Sequence, residues 1–138
     1  MDISKLRVTE GSNAGAVYHV NDPFNEEPAF FTDIVDSVEV EKPVTVTLLG
    51  PDSDVYRKAS LNSSRKVLKK RGKVDPQDLD DSAIFSLAEC ILGWEGLEDE
   101  GQPIQFTRQN AIALLRSEKW LRDQLNEFHQ DRRNFLAK

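Results

Sequence analysis

The dipeptide Gly50-Pro51 divides this chain into two parts with different hydrophobic periods, and that division constrains the fold more than any other feature. Before it, "PVTVTLLG" alternates, with Val44, Val46 and Leu48 against Thr45, Thr47 and Leu49. A period of two belongs to a strand with one buried face. Beyond it, apolar residues recur every three or four positions, the period of a helix burying one stripe. Strands followed by helices predict an α+β fold, predominantly helical, and argue against a parallel doubly wound sheet. A length of 138 residues suits one domain with one modest core.

Three parts are expected within that single domain, 1–138. Residues 1–12 lack periodicity and read as a flexible terminus. Residues 13–50 form the β-rich part, a small N-terminal antiparallel β element. "AVYHV" (16–20) reads as a short strand, and "DSVEVEKP" also alternates, so 37–49 form one long or interrupted strand. Residues 51–138 form the helical part, with about four α-helices. Asp52 or Ser53 caps the first, which runs to about Arg71 with Gly72 as its stop. Its apolar stripe is thin: Val55, Tyr56, Ala59, Val67 and Leu68. The second runs from about Asp78 to Gly93 with Ile84, Leu87, Ala88 and Ile91 as its stripe. Asp78, Asp80 and Asp81 lie at its start, where the helix dipole favours anions. Thr107 caps the third helix and Ser117 the fourth, which places Trp120, Leu121, Leu125, Phe128 and Phe135 near one face.

Charge is distributed in blocks. Residues 1–50 carry −6, 51–73 carry +6, 74–106 carry −9 and 107–138 carry +3, a net −6. Such blocks steer opposite surfaces together, within one fold or between copies. In the second case Arg65, Lys66, Lys69 and Lys70 of one chain meet Glu95, Glu98, Asp99 and Glu100 of another, and self-association weakens with salt. The basic helix 57–73 also supports an alternative reading, a small nucleic-acid-binding regulator. A solvated helix face accounts for it more simply, because no aromatic stacking platform accompanies the cations.

Nothing in the sequence assembles a catalytic, cofactor or metal site, and an enzyme is not expected. Counted from Asp75 as an EF-hand loop, the sixth and twelfth places fall on Asp80 and Ser86, where glycine and glutamate are required. His19, His129 and the single Cys90 have no metal-ligand spacing. Cys90 sits in the stripe region of the second helix, where a buried, inert thiol is the default. No apolar run is long enough to span a membrane. One cysteine and the lack of an apolar leader in "MDISKLRVTEG" fit a reducing cytoplasm.

"GWEGLEDEGQPIQFT" (93–107) sets a tryptophan against an acidic, turn-rich segment. Gly96 and Gly101 can take backbone angles closed to other residues, and Pro103 stiffens the return. Leu97, Ile104 and Phe106 can fold back over the helix stripe while the acids keep the corner solvated. Within "LAECILGWEGLEDEGQPIQFTRQNAIALL" the set Gly93-Trp94-Glu95-Gly96-Leu97, then Gly101, Pro103, Phe106, Thr107 and Asn110, resembles the tail assembly chaperones of long-tailed, non-contractile bacteriophages. The resemblance extends over roughly 79–136. It implies a non-enzymatic, prophage-encoded protein of the host bacterial cytoplasm. Such a protein binds the hydrophobic, helical tape measure protein, helps recruit tail tube protein and is absent from the mature virion. Trp94, Leu97, Phe106, Trp120 and Phe128 are the expected partner-binding residues, although both tryptophans also suit core packing.

Overall fold

The computed structural model describes residues 1–69 and 75–136. Helix α1 (Thr9–Ala14) leads into strand β1 (Ala16–His19). Strands β2 (Phe30–Val35) and β3 (Val38–Pro43) follow, then β4 (Thr45–Leu48). Helices α2 (Asp54–Lys69) and α3 (Pro76–Cys90) come next. Strand β5 (Ile91–Glu95) precedes the two-residue strands β6 (Glu98–Asp99) and β7 (Gln102–Pro103). Helices α4 (Arg108–Ser117) and α5 (Lys119–Gln130) complete the body, with short 3-10 turns at Ile3–Leu6 and Arg132–Phe135.

The α+β class is as expected, but strands are not confined to the N-terminal part. Strands β1, β4 and β5 make an antiparallel sheet in the order β1-β4-β5, with Val46 opposite Trp94. The second helix therefore stops at Cys90, three residues before the expected Gly93, and Ile91 belongs to a strand. All four stripe residues are nevertheless buried, because a strand leaving the helix keeps Ile91 directed into the same core. Residues 37–49 do form an interrupted strand. Val44 is the interruption: it hydrogen-bonds Val20 and Ala29, and hands the chain from the β2–β3 hairpin to the central sheet.

One core serves the whole body. Val20, Val46, Leu48 and Ile91 of the sheet region pack with Ile84, Leu87 and Ala88 of α3, Ala111 and Leu115 of α4, and Leu121 and Leu125 of α5. Caps follow the sequence at two helices. Thr107 accepts from the Asn110 amide at 3.0 Å, and Ser53 accepts from the Tyr56 amide at 3.2 Å. Others differ. Ser117 does not cap α5; its hydroxyl donates back to the Leu114 carbonyl, and Glu118 occupies the cap position without a side-chain bond. At α3 the cap is Asp75, in a reciprocal capping box with Asp78. Asp80 and Asp81 reach instead to Arg122 of α5 and Arg116 of α4, at 2.9 and 3.3 Å. The expected stop at Gly72 lies outside the described residues, as does Lys70.

The first dozen residues, aperiodic in sequence, hold a 3-10 turn and most of α1, and Gly11 and Ser12 are buried. What holds α1 is the Gly50 turn. The Gly50 amide donates to the Ser12 carbonyl at 2.9 Å. A Cβ on Gly50 would run into the Ser12 hydroxyl and lie 2.8 Å from Phe135 Cγ. Gly50→Ala is therefore expected to destabilise the fold by roughly 1–3 kcal/mol through overpacking. Thermal unfolding followed by circular dichroism checks this; an unchanged midpoint would show that α1 and the Phe135 turn yield freely.

Candidate functional site

The acidic corner is a hairpin rather than a loop. Strands β6 and β7 pair Glu98 with Pro103 and Asp99 with Gln102, and the intervening Glu100 and Gly101 have φ of 50° and 79°. Positive φ at both central residues is the turn type whose twist suits a two-residue hairpin. Beneath it, the Trp94 indole donates to the Ile104 carbonyl at 2.7 Å and meets the Phe106 ring edge-on at 4.9 Å. The Leu97 carbonyl accepts from the Ile104 amide. Trp94, Leu97 and Phe106 are thus brought together, with Trp94 and Leu97 packed on the core. Phe128 lies elsewhere, against Tyr18 at 4.9 Å and Phe135 at 5.5 Å. Trp120 is on the outside of α5, its indole donating to Glu118.

The acidic 74–106 block finds partners inside the chain. Besides the two aspartate–arginine pairs, Glu89 of α3 pairs with Arg108 of α4. Each links α3 to the basic C-terminal block, so these three acids are neutralised within one chain, by 107–138. Glu95 lies 4.0 Å from Lys42, while Glu98, Asp99 and Glu100 have no ion pair among the described residues. The same holds for Arg57, Lys58, Arg65, Lys66 and Lys69 of α2. That helix sits lightly on the body: Tyr56, Ala59 and Ser63 are half-buried, while Val55, Leu61 and Leu68 are exposed.

Light seating leaves a groove of about 850 Å³ between α2, α3 and α4. Val55 and Ala59 of α2, Phe85 of α3 and Ile112 of α4 supply its apolar lining, with Lys58 and Lys66 on the α2 side and Asp78, Asp81 and Glu89 on the α3 side. Phe85 lies one position off the core stripe and is 36% exposed, with the Arg116 guanidinium 5.3 Å from its ring centre. No sequence motif marks this groove. Its signal was the thinness of the α2 stripe together with a phenylalanine next to, but outside, the α3 stripe.

A second apolar surface is the β2–β3 hairpin, with Phe30, Ile34, Val35, Val38 and Val40 all exposed. Its turn residues Asp36 and Ser37 have φ of 51° and 65°. Asp33 and Lys42 pair at 2.7 Å on one face, and each moves the other's ionisation toward the charged form, lowering the carboxyl and raising the amine.

The buried titratable groups read as structural. Cys90 is fully buried and desolvation pushes its thiol up to about 12, so thiolate is scarce at neutral pH. His129 is 1% exposed, stacked on Tyr56 at 4.5 Å, with Nδ1 bonded to the Leu49 carbonyl at 2.8 Å and Nε2 without a partner among the described residues. Among the described residues no cluster of three or more His, Cys, Asp or Glu could hold a metal, and no helix is long and apolar enough to cross a membrane.

Residues 52–138 match the family model of the YdaY prophage protein, well over half of the chain. The chain belongs to that family and is phage-derived. No curated protein and no solved structure matches it.

Burial lowers the pKa of His129, against the opposing pull of the Leu49 carbonyl and of Asp52. An unfolded chain takes up this proton near pH ~6.5, whereas the folded chain resists it to lower pH. Stability is therefore complete above that value and falls as pH drops below it. Urea midpoints at pH 7.5 and 5.5 are expected to differ more for the wild type than for His129→Gln. Equal pH dependence in the two would remove His129 from the account.

Proposed function

We propose that this prophage protein is a tail assembly chaperone, which binds the tape measure protein and helps recruit tail tube subunits during tail morphogenesis. It acts without catalysis in the host cytoplasm and does not enter the mature virion. The observation that carries the reading is the α2–α3–α4 groove. An open trough with an apolar lining suits the apolar stripe of a helix, read at i, i+3, i+4 and i+7 positions. Lys58 and Lys66 line its α2 side and Asp78, Asp81 and Glu89 its α3 side, so the acidic flank of a client helix would face α2. Phe85 and Ile112 come from α3 and α4, which the core and the Glu89–Arg108 pair hold in place, so one wall is preformed. Family membership supports the phage setting, and the resemblance of the 87–115 segment supports the tail-assembly role.

The test is co-expression with the tape measure protein encoded by the same prophage. The wild-type chain is expected to move that protein into the soluble fraction, and Phe85→Asp to lose most of the effect while keeping its own fold by circular dichroism. A tape measure protein equally insoluble with and without the wild-type chain would refute the chaperone reading. Full activity of Phe85→Asp would refute the groove as its site.

A further inference from the structure

The β2–β3 hairpin carries one face that is matched elsewhere on the same chain. Antiparallel pairing sets Phe30 opposite Pro43, Thr32 opposite Glu41 and Ile34 opposite Glu39, and alternation puts these six residues on one face. The other face is tied internally, through the Asp33–Lys42 pair and through Phe31, which packs against Gly96. The first face has fewer ties: Phe30 touches His19, yet remains 56% exposed, and Ile34 is 71% exposed. Glu39 and Glu41 take part in no ion pair among the described residues. An isolated two-stranded hairpin is marginal in water, and exposed apolar side chains on it call for a cover.

Helix α2 presents the complementary chemistry. Arg57, Leu61, Arg65 and Leu68 follow one another at intervals of four, four and three along the side turned away from Tyr56, Ala59 and Ser63. Leu61 and Leu68 are 52% and 76% exposed, and neither arginine is in an ion pair among the described residues. Each surface thus offers two large apolar side chains and two like charges, of opposite sign. The dimensions also agree. Four residues of strand from Phe30 to Ile34 span about 13 Å, and seven residues of helix from Leu61 to Leu68 span about 10 Å.

We propose that the Phe30, Ile34, Glu39 and Glu41 face of the hairpin docks on the Arg57, Leu61, Arg65 and Leu68 face of α2 in a second copy of the chain. The contact joins different patches, so it is head-to-tail and generates a ring if its rotation closes or an open chain if it does not. It replaces the pairing that the charge blocks suggest, because Asp80, Asp81 and Glu89 already serve arginines of their own chain. The acids at Glu98–Glu100 lack a matching pair of exposed large apolar residues. The proposal is independent of the chaperone reading, since this line on α2 lies off the apolar groove lining formed by Val55 and Ala59.

Sedimentation velocity over a range of concentrations, at low and high salt, tests it through charge exchange. The wild type is expected to associate with rising concentration, and less so at high salt. Glu39→Lys/Glu41→Lys and Arg57→Glu/Arg65→Glu are each expected to weaken association by roughly tenfold or more. One chain carrying all four reversals is expected to recover it, and Glu98→Lys/Glu100→Lys to leave it unchanged. A wild type that stays monomeric throughout overturns the proposal, whether or not α2 then binds duplex DNA. So does failure of the fourfold exchange to restore association in a chain with native circular dichroism.

Discussion

Gly50 has no room for a side chain, and the reason is that five parts of the protein converge on the turn it occupies. The Leu49 amide donates to the Cys90 carbonyl at the end of α3, and the Leu49 carbonyl accepts from His129 of α5. Ser12 of α1 receives the Gly50 amide on its carbonyl, and its hydroxyl takes the Asp52 amide at 3.3 Å. Asp52 in turn holds Arg132 through both carboxylate oxygens, at 2.6 and 3.0 Å, while Ser53 opens α2. Polar groups buried at such a crossing are costly unless satisfied, so the crossing fixes the positions of all five together. The change from strand to helix in the sequence is thus the place where the fold is assembled.

From that turn outward, packing becomes progressively lighter. Strand β4 is buried along Val46 and Leu48, and α3, α4 and α5 close over it with their apolar stripes and three carboxylate–arginine pairs. Those pairs are partly exposed, so each adds little stability alone, but they fix how α3 faces its neighbours. Helix α2 and the β2–β3 hairpin have no fully buried residue among the described ones, and both keep large apolar side chains in water. Elements with few buried contacts are where local opening and partner binding concentrate. The groove exists because α2 is too polar to bury itself fully against α3.

Much of this was legible in the sequence, for identifiable reasons. The stripe Ile84, Leu87, Ala88 and Ile91 and the Thr107 cap follow from local rules that the tertiary structure did not oppose. Strand β5 was not legible: "ILGWE" pairs with β4 across more than forty residues of sequence, and its glycine and glutamate have low strand propensity. The role of Asp80 and Asp81 was hidden likewise, because an acid near a helix start suits the dipole whether or not an arginine stands opposite. Of the hairpin only the alternation of "DSVEVEKP" was legible, and Leu68, expected in the α2 stripe, lies on the exposed side instead. The exposure of both surfaces was not legible, since burial depends on what the rest of the chain leaves uncovered.

Trp94 shows how one residue can serve the fold and still leave the surface beside it available. Its indole is satisfied by Ile104 and its ring is flanked by Phe106, so the acidic hairpin is anchored on a core tryptophan. The functional claim accordingly rests on the groove, whose apolar lining is Val55, Ala59, Phe85 and Ile112. Hydrogen exchange of the chain alone and bound to tape measure protein tests it most directly. The account predicts added protection in 54–69 and 76–90, the two helices that flank the groove. Binding with protection confined to 98–103 or α5, and none in α2 or α3, would contradict it.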